Sequence, residues 1–364
     1  MRFIMAGGGT GGHIFPAIAI AQAITAQMPG AEFLFVGAKG KMEMEKVPKA
    51  GFNIQGLDIA GFNRSSMLKN WSLPYKLVKS FFQVRSIIKN FKPDAVIGVG
   101  GYSSFPVLRV AQAKGIPTFI HESNSFAGKA NMMLGKKANK IFVAGTDMGK
   151  FFPVEKIIVS GNPVRKEIAQ NTKTRAEGIA FFGLEEGKKT VLSVGGSLGA
   201  KTINEAIGKQ LDAFAENNLQ LIWQTGEPYA ATAKEQCAGK KNIYTAAFIR
   251  EMEYAFAAAD MVISRAGAMA TAELCISGKP VVFVPYPYAA EDHQTANAMD
   301  LVKQNAALLI KDNEAAEQLV PAVIELAKDE TRQQELKKNI ARLGIRNADE
   351  LIASEIIREL NAVK

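Results

Sequence analysis

Arg2-Phe3-Ile4-Met5-Ala6-Gly7-Gly8-Gly9-Thr10-Gly11-Gly12-His13 decides the fold. Five mostly apolar residues run without interruption into a glycine-rich loop, and a helical pattern follows from Pro16 to Gln27. An apolar run that short, bounded by glycine and rich in branched or aromatic residues, reads as a strand covered on both faces. The same unit recurs along the chain. AEFLFVG, DAVIGVG, PTFIHE and KIFVAG continue the series, and TVLSVGG, LQLIWQTG, ADMVISR and KPVVFVP restart it after Gly183. Strands alternating with helices imply parallel sheets with helices on both faces. Right-handed crossovers then gather the strand C-termini, with their loops, on one edge of each sheet.

The chain has 364 residues, enough for two domains of roughly 150 residues each. Turn residues at Gly161-Asn162-Pro163 mark the break. The expected domains are therefore 1–162 and 163–345, and the amphipathic segment Asp349–Val363 is left as a terminal helix that caps one of them. Composition is that of a globular protein, 48% hydrophobic and 22% charged, with a formal charge of +9. The excess positive charge suits an anionic partner: nucleic acid, a phosphorylated substrate or a membrane surface. No nucleic-acid recognition motif accompanies it. Cys237 and Cys275 stand far apart, in no metal-binding or redox spacing, and read as small core residues in a reducing compartment. No signal peptide is visible, and no apolar run reaches the ~18 residues of a membrane span.

Three glycine clusters follow strands: Gly7–His13, Gly98–Ser104 and Gly195–Ala200. The first satisfies G-x-G-x-x-G through Gly7, Gly9 and Gly12 and opens a helix, where a phosphate or sugar can approach the backbone. A nicotinamide dinucleotide also needs an acid at the end of the second strand to hold its ribose. That strand ends Val36-Gly37-Ala38-Lys39, with no acid. No P-loop occurs either. Any one of the loops is compatible with plain tight packing, but three at strand ends in a two-sheet protein describe a surface of anion and sugar donors. The three histidines, His13, His121 and His293, all fall in polar loops at strand ends, a placement that favours chemistry for at least one. Glu273 sits one to two turns into the helix after Arg265-Ala266-Gly267-Ala268. It reads either as a ribose acceptor or as a glutamate answering the helix dipole.

Taken in order, Gly8–His13, Gly100-Gly101-Tyr102, His121–Asn124, Gly161–Arg165, Gly195–Ala200, Arg265 through Glu273 and Asp292-His293-Gln294 with Asn297-Ala298 closely resemble the cell-wall N-acetylglucosaminyltransferases of glycosyltransferase family 28. The resemblance spans nearly the whole chain. It implies the GT-B architecture: α/β, two Rossmann-like doubly wound parallel-sheet domains facing a cleft, with the last helix, 346–364, packing back on the first. It implies UDP-GlcNAc as donor and an undecaprenyl-pyrophosphoryl-MurNAc-pentapeptide (lipid I) as acceptor, joined by inverting transfer to the 4-hydroxyl. By the same resemblance Ser197 and Arg165 serve the diphosphate, the Ile249 backbone the uracil, Ala268, Met269, Ala270, Thr271, Ala272 and Glu273 the nucleoside, and Gln294 the donor sugar. Thr10, Gly11, Gly12 and Asn124 match first-domain residues that close over the donor. Ala266 departs from a serine found in some members but keeps the small size. No D-x-D motif appears among the strand-end loops, so this reading requires no protein-held metal, and it requires no cofactor. His13, at the mouth of the first loop, is the candidate general base. The rival readings are a UDP-GlcNAc 2-epimerase or another GT-B glycolipid transferase and, in a different class, a non-catalytic sugar-nucleotide-binding subunit.

Between Asp58 and Asp94 there is no acid, yet there are seven basic residues, interleaved with apolar and aromatic ones. Lys69, Trp71, Leu73, Tyr75 and Lys76 are the candidate docking residues for the cytoplasmic face of the membrane, with Pro74 starting a helix. Val78, Phe81, Phe82, Ile87 and Ile88 are expected to pack on the first domain. The competing reading is an ordinary surface helix with solvated lysines.

Overall fold

The computed structural model describes residues 1–61, 71–196 and 198–362, so the Ser197 and Lys69 assignments lie outside the described residues. The chain forms two compact units, Met1–Val164 with Asn347–Lys364, and Arg165–Arg346. Both are α/β with wholly parallel sheets, the Rossmann-like pair of the GT-B class.

In the first unit the strands are β1 (Arg2–Ala6), β2 (Glu32–Ala38), β3 (Asn53–Leu57), β4 (Ala95–Gly98), β5 (Thr118–Glu122), β6 (Lys140–Val143) and β7 (Ile157–Val159). Their spatial order is β3-β2-β1-β4-β5-β6-β7. The two-residue period of a strand sorts β1 between two cores. Phe3 and Met5 enter one, with Ile14, Ile20 and Ile24 of the helix Gly11–Gln27. Ile4 and Ala6 enter the other, with Val84 and Ile88 of the helix Leu73–Phe91. The terminal helix Ala348–Ala362 adds Ile352, Ile356 and Leu360 to the first of these cores, and Ser354 donates to Gln27 Oε1.

The second unit repeats the plan with β8 (Lys189–Val194), β9 (Leu219–Gln224), β10 (Ile243–Ala246), β11 (Met261–Ser264), β12 (Val281–Phe283) and β13 (Leu308–Leu309). The order β10-β9-β8-β11-β12-β13 reverses direction between β8 and β11, as that of the first unit does between β1 and β4. Crossovers leave in opposite directions at such a point, and the diverging loops open a crevice where ligands bind in this class of sheet. Each unit therefore puts a glycine loop beside its own switch point.

The candidate nucleotide-sugar site

In the first unit the loops after β1 and β4 pack backbone to backbone. Gly101 has φ +82°, and a Cβ there would lie 2.5 Å from the Gly8 carbonyl oxygen, so a side chain would force the loops apart. Beneath them Glu43 is almost wholly buried. Its Oε2 accepts the Gly9 N–H at 3.0 Å and its Oε1 the Ala38 N–H at 2.9 Å. The acid that follows β2 is thus engaged by the chain's own amides and is not left to hold a dinucleotide ribose. Sequence reading missed Glu43. The one available signal was a glutamate five residues past a strand end, opening a short helix.

His13 falls in the first turn of the Gly11–Gln27 helix rather than in the loop itself. Its Nδ1 stands 3.2 Å from the Gly8 carbonyl oxygen and 3.2 Å from Thr10 Oγ1. A carbonyl only accepts, so Nδ1 carries the proton and a neutral ring presents its lone pair at Nε2. A Cβ on Gly100 would sit 2.9 Å from that Nε2, so the ring's position depends on glycine at 100.

At the end of β5 the two polar residues of the His121-Glu122 pair are structural. Glu122 accepts from the Asn124 N–H (3.1 Å), Asn124 Nδ2 (3.3 Å), the Gly128 N–H (3.0 Å) and Asn131 Nδ2 (2.9 Å). That web fixes the turn carrying Asn124. His121 is buried, with Nε2 3.4 Å from the Gly161 carbonyl oxygen. Burial pushes its pKa down to about 4, with the neighbouring His13 acting in the same direction, so it is neutral near pH 7.

In the second unit Arg165 and Glu273, assigned from sequence to different parts of a nucleotide, bind each other. Nε meets Oε1 at 3.0 Å and Nη2 meets Oε2 at 3.3 Å. The helix Ala268–Ser277 that carries Ala268 to Glu273 starts at the end of β11 behind Gly267, where an added Cβ would meet nothing within 4 Å. Gln224, at the buried end of β9, ties two loops together: it donates to the Gly196 carbonyl at 3.2 Å and accepts the Ile249 N–H at 3.0 Å. With that N–H occupied, Ile249 has its carbonyl to offer a base. Gln294 likewise accepts the Tyr286 N–H at 3.0 Å, which directs its amide NH₂ to any sugar contact. Arg265 braces the site from behind, donating to the Val284 and Pro285 carbonyls at 2.9 and 3.1 Å and pairing with Asp312. Asn297 donates to the Ala266 carbonyl at 3.0 Å. Gln224 and Asn297 were not weighed as anchors in the sequence, because an amide's role is set by which loops meet over it.

The basic segment departs from expectation in one respect. Pro74 lies in the first turn of Leu73–Phe91, and Phe81, Ile87 and Ile88 pack inward. Val78 and Phe82 do not: they are 56% and 63% exposed, alongside Trp71 at 89% and Tyr75 at 71%. Positions 71, 75, 78 and 82 recur at helical spacing, so one face of the segment is an uncovered apolar stripe while the adjacent face carries the core contacts. Leu73 and Lys76 are half-buried. Arg85 lies over the Phe82 ring at 5.7 Å, and Lys79 pairs with Asp58 at 2.9 Å. Among the described residues no helix is long and apolar enough to cross a membrane.

The model of the glycosyltransferase family 28 N-terminal domain matches residues 3–143, and that of the family's C-terminal domain matches 190–352. The chain is 48% identical, over 98% of both sequences, to the UDP-N-acetylglucosamine--N-acetylmuramyl-(pentapeptide) pyrophosphoryl-undecaprenol N-acetylglucosamine transferase of Parabacteroides distasonis. It is 50% identical to the protein of the same name from Phocaeicola vulgatus, over 98% of this chain and 96% of that one. Among solved structures, Acinetobacter baumannii MurG superposes with a TM-score of 0.82 at 29% identity, covering 98% of this chain and 99% of that one. The UDP-GlcNAc 2-epimerase of Neisseria meningitidis, solved with UDP-GlcNAc bound, gives 0.68 at 14% identity over 98% of this chain and 100% of that one, a likeness of fold.

Proposed function

Because the chain belongs to glycosyltransferase family 28, we propose that it transfers N-acetylglucosamine from UDP-GlcNAc to the lipid-linked N-acetylmuramoyl-pentapeptide of peptidoglycan synthesis, converting lipid I to lipid II. The observation that carries the reading is near-half identity, over almost the full length, to enzymes of that name, on a chain whose two switch points both bear glycine loops. The epimerase reading has only a shared fold behind it.

In this reading the second unit holds the donor. The Ile249 carbonyl accepts from uracil, Glu273 from the ribose hydroxyls, and Arg165 turns its remaining donors to the diphosphate. The Gly195–Ala200 loop with Ser197 and the helix opening at Ala268 supply amides to the phosphates. The acceptor 4-hydroxyl attacks C1 of the α-linked sugar from the opposite face. The C1–O bond breaks, its electron pair leaves on UDP, and a β1→4 bond forms. Charge growing on the leaving diphosphate meets Arg165 and fixed backbone dipoles that need no reorganisation. The hydroxyl proton passes to His13 Nε2, which the Nδ1 bond to Gly8 keeps as the acceptor nitrogen. Thr10 orients that ring, and Gly11, Gly12 and Asn124 are the first-unit residues assigned to the donor.

The stripe Trp71-Tyr75-Val78-Phe82, with Lys69 and Lys76 near its start, docks the enzyme on the cytoplasmic leaflet, where the lipid-linked acceptor lies. Each Lys or Arg near an anionic surface contributes ~1 kcal/mol, and aromatic side chains seat at the headgroup boundary. The deciding assay supplies radiolabelled UDP-GlcNAc with a lipid I analogue, and UDP-GlcNAc alone as control. A labelled disaccharide-lipid is the expected product. Conversion of UDP-GlcNAc to UDP-ManNAc without acceptor would replace this reading by the epimerase.

A further inference from the structure

The second unit has another polar cavity, on the edge of its sheet away from the glycine loop. Asp260 and Lys279 stand at the entrances of β11 and β12, whereas the nucleotide candidates gather near the strand exits. The cavity, about 280 Å³, is walled by Ile168 and Phe256 and lined by Lys173, Arg175, Lys279 and Arg346, with no carboxylate in its lining.

Two of the four cations are neutralised. Arg175 pairs with Asp260 at 3.0 Å, and Lys173 pairs with Glu177 at 3.3 Å and lies 4.6 Å over the Tyr254 ring. The other two are not. Arg346 donates only to carbonyls, Ala169 at 2.7 Å and Ile276 at 3.0 Å, which leaves further N–H groups of its guanidinium. The Lys279 ammonium makes no ion pair or hydrogen bond among the described residues. The charged groups facing it are Asp260, already paired, and the like charges of Arg175 and Lys337. Burial and those cations hold its pKa below the ordinary lysine value, against the pull of Asp260. A half-buried ammonium among like charges is unfavourable unless something offsets it. Two positive charges without an ion pair of their own, in a half-open polar pocket, fit one doubly charged anion.

We propose that this pocket binds a small oxyanion of the phosphate class, with Lys279 and Arg346 as its principal contacts and Arg175 and Lys173 completing the rim. The site is separate from the UDP-GlcNAc site, and its occupancy does not depend on the transfer reaction. A tetrahedral dianion offers acceptors on all sides, matching cations converging from the 166–173 segment, the entrance of β12 and residue 346, where the chain leaves this unit.

The test is thermal unfolding of the full chain in inorganic phosphate against chloride at equal ionic strength, with titration calorimetry for affinity. Glycerol 3-phosphate runs beside phosphate to tell a free anion from a phosphate monoester. Phosphate, or the monoester, is expected to raise the midpoint for the native chain, with UDP present at saturation. Lys279→Met is expected to melt at the same temperature or higher in chloride, since it removes a poorly solvated charge, and to bind phosphate at least about tenfold more weakly. Lys279→Arg is expected to retain binding. Equal stabilisation of the native chain and Lys279→Met, loss of the effect under saturating UDP, or no effect of either anion overturns the proposal.

Discussion

Arg165 and Glu273 grip each other at two points, Nε to Oε1 at 3.0 Å and Nη2 to Oε2 at 3.3 Å, although 108 residues separate them in sequence. A bidentate guanidinium–carboxylate pair fixes both groups in one plane, so a nucleotide meets a carboxylate already oriented and an arginine with donors to spare. The two partners should fail differently. Glu273→Ala is expected to weaken uridine and UDP alike by roughly tenfold or more, from the loss of about 1.5–3 kcal/mol. Arg165→Ala should weaken UDP far more than uridine. Calorimetry with both ligands separates the cases, and unchanged UDP affinity in Glu273→Ala removes the ribose assignment.

His13→Ala should lower kcat by about 10²–10⁴-fold while UDP binding stays close to that of the native chain, as expected for a group that only takes a proton. If UDP binding falls and kcat does not, His13 is a donor contact.

Glu43→Ala strips the Gly9 and Ala38 amides of their acceptor at once. Leaving the buried Ala38 donor unmet, with the part-buried Gly9 donor beside it, costs on the order of 1–3 kcal/mol, read as a lower urea midpoint. Donor binding should suffer less than stability, because Glu43 lies under the loop rather than in it.

His121 gives the fold an acid sensitivity. Its folded pKa of about 4 lies below the unfolded value of ~6.5, so the unfolded chain binds the proton first. The stability involved is fully present above pH ~6.5 and is lost as pH falls towards 4, up to about 3 kcal/mol. Urea titrations between pH 7.5 and 4.5 should show a shallower fall for His121→Gln than for the native chain. Parallel curves would place the acid sensitivity elsewhere.

Trp71→Ser, Tyr75→Ser and Phe82→Ser combined should abolish sedimentation with anionic vesicles and leave turnover of a short-chain soluble acceptor intact. Since all three side chains are exposed, the melting temperature should hardly move. Undiminished vesicle binding would place the docking surface elsewhere on the chain.

The sequence by itself determined the α/β class, the parallel sheets, the two-unit plan and the loops that face ligand. These follow from local causes. A short apolar run such as Phe3-Ile4-Met5-Ala6 bounded by glycine reads as a covered strand, the glycine cluster behind it as a tight loop, and strand-helix alternation fixes which edge the loops share. The motif set also carried the family. The tertiary structure alone decided which polar groups are free. Glu43 and Gln224 look like surface residues in sequence, yet each is buried and bonded to amides or carbonyls of remote loops, because the fold leaves backbone groups there that something must satisfy. The Arg165–Glu273 pair belongs with them. Val78 and Phe82 show the converse. Residue type marks them as core, but the helix Leu73–Phe91 has only one face to turn inward, and Val84 and Ile88 occupy it. Hydrophobicity is a property of a residue, whereas burial depends on which side of its helix finds a partner.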